Sequence, residues 1–87
     1  MNLHDLIEEI THLESPSRHK IALDIFNLLE NNRVLFLSKL DEGDFNSLLS
    51  GFEQLAYAHP KEYASDAYQS EFERRKASLL YHFNKIL

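Results

Sequence analysis

The chain contains no cysteine. Without thiols it has no disulfide framework, no thiolate metal site and no cysteine nucleophile, as expected in a reducing compartment. Glycine is nearly as scarce. Gly43 and Gly51 cannot between them build a glycine-rich phosphate loop, and neither belongs to a Gly-x-Ser-x-Gly nucleophile elbow. Long apolar runs are missing as well. Val34-Leu35-Phe36-Leu37 stops at four residues, against the ~20 that a membrane-spanning helix needs. The opening Met1-Asn2-Leu3-His4-Asp5 lacks the basic stretch and apolar core of a secretory signal. These absences predict a soluble, cytoplasmic protein with no membrane partner.

The chain has 87 residues, 44% of them hydrophobic and 26% charged. That predicts one folded domain over 1–87, because a second core would need roughly 50 more residues. A domain this short buries only about two-thirds of the surface its unfolded chain exposes, so a partner or a second copy would stabilise it. The net charge of −5 is uneven: residues 1–59 carry ten acidic and four basic side chains, residues 60–87 four and five. Acidity keeps a small protein in solution. It also disfavours phosphate backbones, whose binding depends on Lys and Arg, and suits a basic protein partner.

Hydrophobic periodicity divides the chain into four helical segments. In the first, Leu3, Leu6, Ile7, Ile10 and Leu13 recur at spacings of three and four. Asn2 and Asp5 suggest a capping box, and the helix is expected to end before Pro16. Ser15 is then the natural N-cap of the second segment, Pro16 to about Leu40, with Pro16 at its first position. Ile21, Ile25, Leu28, Leu29, Leu35 and Phe36 form one apolar stripe there. Leu23, Phe26, Val34 and Leu37 point roughly the opposite way. A helix apolar on two sides is sandwiched between neighbours or shared with another molecule. Asn31-Asn32-Arg33 interrupts the pattern as a kink or a short turn.

Asp41-Glu42-Gly43-Asp44 reads as a loop, with Asp44 capping a third helix that ends at His59-Pro60. That helix carries Phe45, Leu48, Leu49, Phe52, Leu55 and Ala56 on one face. Gly51 in its middle costs ~1 kcal/mol against alanine and implies close packing or simple tolerance. The fourth segment begins between Pro60 and Asp66, with Tyr68, Phe72, Leu79, Leu80, Phe83 and Ile86 on one face. Lys76 lies on that face too, able to snorkel outward or to pair with a carboxylate of the acidic half. The expected fold is therefore all-α: a compact bundle of four helices, or five if the second is broken at Asn31-Asn32.

Few residues suggest chemistry. His4, Glu8 and His12 have ligand-like spacing, but on the face away from the apolar stripe, where a site would lack supporting groups. Glu9-Ile10-Thr11-His12 matches half of a di-iron helix signature, with no second element to complete it. Glu8-Glu9 and Asp41-Glu42 fall on surface or loop, where acid–base catalysis is not favoured. No enzyme, metal or cofactor is expected. Arg74, Arg75, Lys76 and Lys85, with Tyr81 and His82 nearby, form a basic, partly aromatic stretch of the kind that binds nucleic acid. Glu71 and Glu73 sit beside it, and Arg75 is spaced to pair with Glu71.

The feature that points furthest is apolar and aromatic. Tyr57, Tyr63 and Tyr81 fall off the stripes of their helices, and tyrosine suits interfaces because its ring buries while its hydroxyl stays paired. With Leu23, Phe26, Val34 and Leu37 they suggest a partner-binding surface. The expectation is a non-enzymatic protein–protein interaction module, a regulator, adaptor or inhibitor acting by binding. Its alternatives are a homo-oligomeric structural protein, in simplest form a homodimer, with Leu23, Phe26, Val34 and Leu37 as the self-interface, and a nucleic-acid-associated protein using the basic face of the fourth segment.

Overall fold

Helix α1 begins at Asn2, whose side chain accepts the Asp5 backbone N–H at 2.8 Å, so half of the expected capping box forms. The computed structural model describes residues 2–87; Met1, where the N-terminal stretch discussed above starts, lies outside them. α1 spans Leu3–Thr11 and buries Leu6, Ile7 and Ile10. It stops four residues short of Ser15, with the His12 backbone N–H closing on the Glu8 carbonyl at 3.2 Å.

Ser17, not Ser15, caps α2 (Arg18–Asn31): its Oγ accepts the Lys20 N–H at 3.3 Å. The two serines act in series, since Ser15 Oγ accepts the Ser17 N–H at 3.2 Å. Pro16 then stays outside the helix, where its missing donor costs nothing. Ala22, Ile25 and Leu29 form the buried face.

A single residue breaks the second segment. Asn32 leaves helical geometry at φ −123° and ψ 30°, and its side-chain amide donates back to the Leu28 carbonyl at 2.8 Å. Asparagine competes in this way for the carbonyls of the preceding turn. The short helix α3 (Arg33–Leu37) follows and places Phe36 in the core, stacked between Phe45 and Phe83 at centroid distances of 5.9 and 5.7 Å.

The stretch expected to be a loop before the third helix is helix from Glu42 onward. Asp41 rather than Asp44 is the N-cap of α4 (Glu42–Ala56), and its carboxylate accepts the N–H groups of Gly43 at 2.9 Å and Asp44 at 3.3 Å. Glu42 and Asp44 thus join the first turn, where the helix dipole favours negative charge. A 3-10 turn, Pro60–Glu62, follows α4. Helix α5 (Asp66–Ile86) is capped by Ser65 Oγ on the Tyr68 N–H at 3.1 Å.

α2 and α4 form the central antiparallel pair, with the start of one against the end of the other. α5 lies antiparallel to α4, as Asp44 facing His82 at one end and Leu55 facing Tyr68 at the other require. The described residues are all helix, turn or connection, with no strand among them. Their radius of gyration is 12.5 Å, close to the ~12 Å of a compact chain of this length. No helix is long and apolar enough to cross a membrane.

Gly51 is a place of close packing. A Cβ built there would lie 2.8 Å from Arg75 Cδ, so the arginine stem runs directly over the α4 backbone. Lys76 is half-buried on α5, and among the described residues no carboxylate pairs with it.

Candidate functional site

The last turn of α4 contains no basic residue, and its terminal carbonyls have lost their helical partners. Side chains from two other helices fill the gap. His19 Nε2 of α2 lies 2.8 Å from the Ala56 carbonyl, which requires the Nε2–H form of the ring to donate. The Tyr68 hydroxyl of α5 donates to the Leu55 carbonyl at 2.7 Å. Tyr63, delivered by the 3-10 turn, stacks on His19 at a centroid distance of 4.0 Å and an interplanar angle of 16°. Its ring is 5.6 Å from that of Tyr68. Burial, and secondarily the proximity of Tyr63, pushes the Tyr68 phenol above its usual range.

Of the seven residues proposed for partner binding, the structure brings some together and separates others. Tyr57 caps the C-terminus of α4, 68% exposed, and meets Phe26 edge-on at 5.7 Å. Phe26 is half-buried against the core, and Leu23, one helical turn earlier, is half-buried too. Tyr63 is half-buried and engaged with His19, so its ring is largely committed within the chain. Val34 is 82% exposed on α3, whereas Leu37 on the same short helix packs against the core. Tyr81 is 57% exposed near the far end of α5, with the Lys85 ammonium 4.5 Å from its ring centre. Phe26 and Tyr57 therefore form an aromatic ledge beside the end of α4, with Leu23 one turn earlier on α2, and Tyr81 lies toward the opposite end of the bundle.

The other side of that same end holds a cleft of about 240 Å³ between α4 and α5. Leu55, Ala58, Ala67 and Tyr68 provide apolar walls, and Glu62 and Glu71 provide carboxylates. A similar cleft, lined by Leu3, His4, Ile7, Lys39, Ile86 and Leu87, lies where α1 meets the end of α5.

The basic residues are already partnered in part. Glu71 accepts from Arg74 at 2.6 Å and from Arg75 at 2.7 Å. These hydrogen bonds, Arg74 first, hold its carboxyl below the usual carboxylate range. Glu73 lies 3.6 Å from Arg18 of α2. The His12 ring turns back to the Glu8 carbonyl, with Nδ1 at 2.8 Å, and His4 lies 3.9 Å from Asp5. No group of three metal-capable side chains gathers among the described residues.

Nothing in the sequence marks out His19 or the α4–α5 cleft. A lone histidine near a helix start has no periodic signature, and its role depends on carbonyls that lie 37 residues away. No family model, curated protein or solved structure matches the chain.

Proposed function

We propose that this chain is a small non-enzymatic interaction module that acts by binding a protein partner through the end of the bundle where α4 terminates. The observation that carries this reading is Tyr57, two-thirds exposed yet held edge-on against Phe26. A tyrosine fixed by one neighbour and open on its other face loses little side-chain entropy on binding, and offers a large ring with a polar tip. Leu23 extends the ledge along α2. A binding role is also favoured over catalysis by the state of the titratable groups. Glu71, whose carboxyl is shifted downward, is held by two arginines, and Tyr68 donates to a backbone carbonyl.

The test compares the wild-type chain with Tyr57→Ser, an exposed substitution compatible with the fold, as bait in extracts of the native host. A protein retained by the wild type and lost by the variant, at unchanged helicity, supports the reading. Identical captures from both baits overturn it. Light scattering addresses the alternative of a second copy, which Val34 favours by its 82% exposure. A dimer that Val34→Asp converts to a monomer would transfer the interface to α3. The nucleic-acid alternative rests on Arg74 and Arg75, which would have to leave Glu71 to meet phosphates. Its signature is low-salt retention on DNA that disappears in the Arg74→Ala, Arg75→Ala double variant.

A further inference from the structure

We infer that the cleft between the end of α4 and the start of α5 is an anchor pocket for one apolar side chain of a partner segment, with a lysine or arginine beside it. This rests on the interaction reading above and specifies the chemistry of the partner. At about 240 Å³ the cleft falls below the ~300–1,000 Å³ of pockets that enclose small molecules. It has room for a side chain of leucine or phenylalanine type. Its walls suit such a guest: Leu55 and Tyr68 are buried apolar surface, with Ala58 and Ala67 at the sides. Buried aromatic or aliphatic anchors set in small pockets carry most of the energy of protein interfaces.

Charge selects the neighbour of that anchor. Glu62, exposed at the rim, makes no ion pair with any described residue. Glu71 is held by both Arg74 and Arg75, which leaves Glu62 as the unpaired carboxylate of the lining. Lys61 is next in sequence to Glu62 but is not part of the lining. The chain as a whole carries −5, which draws basic segments in and repels acidic ones.

The experiment pans a phage-displayed library of random linear peptides against the full chain, then measures enriched synthetic peptides by fluorescence anisotropy. The expected peptides share a Leu, Ile, Met or Phe with a Lys or Arg close to it in sequence. Ala67→Phe, which fills the cleft from an exposed position, is expected to weaken their binding by roughly tenfold or more. Glu62→Lys should weaken it while leaving the apolar walls in place, and added salt should weaken wild-type binding. Circular dichroism checks that both variants keep their helicity. Failure to enrich such a motif, or enriched peptides that bind Ala67→Phe as tightly as wild type, overturns the pocket. Peptides that ignore Ala67→Phe but are lost with Tyr57→Ser place the contact on the ledge, so the interaction reading survives while the pocket does not.

Discussion

The two ends of this bundle are built from different aromatics. Where α3, the start of α4 and the end of α5 meet, the buried rings are phenylalanines. Phe36, Phe45 and Phe83 stack on one another, each 1% exposed or less. Where α2 begins, α4 ends and α5 begins, the rings carry polar atoms: His19 and Tyr68 cap the terminal carbonyls of α4, and Tyr63 stacks on His19. The contrast follows from what each end must satisfy. At the phenylalanine end the free N–H groups of α4 are met locally by Asp41, so the interior can be wholly apolar. At the tyrosine end no residue of α4's own last turn is basic, so the ring that fills the space must also donate. One end is closed around its rings; the other leaves Tyr57 and the α4–α5 cleft open to solvent.

The comparison can be broken most forcefully at Phe36. Phe36→Ala removes the middle ring of the stack and should destabilise the chain by ~3–5 kcal/mol, measured by urea denaturation. A loss under ~1 kcal/mol would mean that the stack is not the centre of the fold. At the other end Tyr68→Phe keeps the ring and deletes the donor, leaving the Leu55 carbonyl short of its partner. The expected cost is ~1–3 kcal/mol. Because the folded state holds the Tyr68 proton more tightly than the unfolded chain, its stabilisation is full below the ordinary phenol value of 10.0. It is lost as pH rises through the higher folded value. Wild-type melts should thus show an alkaline decline that is shallower in Tyr68→Phe.

The start of α2 offers a finer contrast. Ser17→Ala should cost ~1 kcal/mol as a lost cap, while Ser15→Ala, which removes a bond outside the helix, should cost less. Equal effects would show that the two serines share the capping. The smallest effect is expected at Glu71, whose carboxyl is lowered below its ordinary 4.5 chiefly by the Arg74 hydrogen bond. Its contribution is present above that value and lost as pH falls through the folded one. The Glu71 side chain is 35% exposed, so solvent screens the pairs and Glu71→Gln should cost no more than ~1 kcal/mol at neutral pH. Thermal melts across acid pH should show a shallower decline in that variant.

The helical stripes were legible because burial imposes a 3.6-residue period, and the buried set Leu6, Ile7, Ile10, Ile25, Leu29, Phe36, Phe45, Phe52, Phe72 and Phe83 follows it closely. Helix starts were less so. Ser15 and Ser17, like Asp41 and Asp44, are all competent caps within a few residues, and the choice between them depends on which register turns the apolar face inward. The two-sided character of the second segment was also visible, but its resolution was not. The break at Asn32 arises from a side chain bonding back to Leu28, which depends on local geometry rather than on pattern. The tyrosines stand off the apolar stripes in the sequence, yet only the fold separates Tyr63, engaged with His19, from Tyr57, left open. The compensating donor His19 depends on a contact across the bundle, to which periodicity is blind.

Gly51 gives the bundle a further property. Its missing side chain is the slot through which the Arg75 stem crosses α4, so residues 51 and 75 form a matched pair across two helices. A larger residue at 51 would displace the guanidinium from Glu71 and free a positive charge at the surface. A side chain at 51 would therefore be read first in the Arg75–Glu71 pair, with the arginine swinging aside before the two helices have to part.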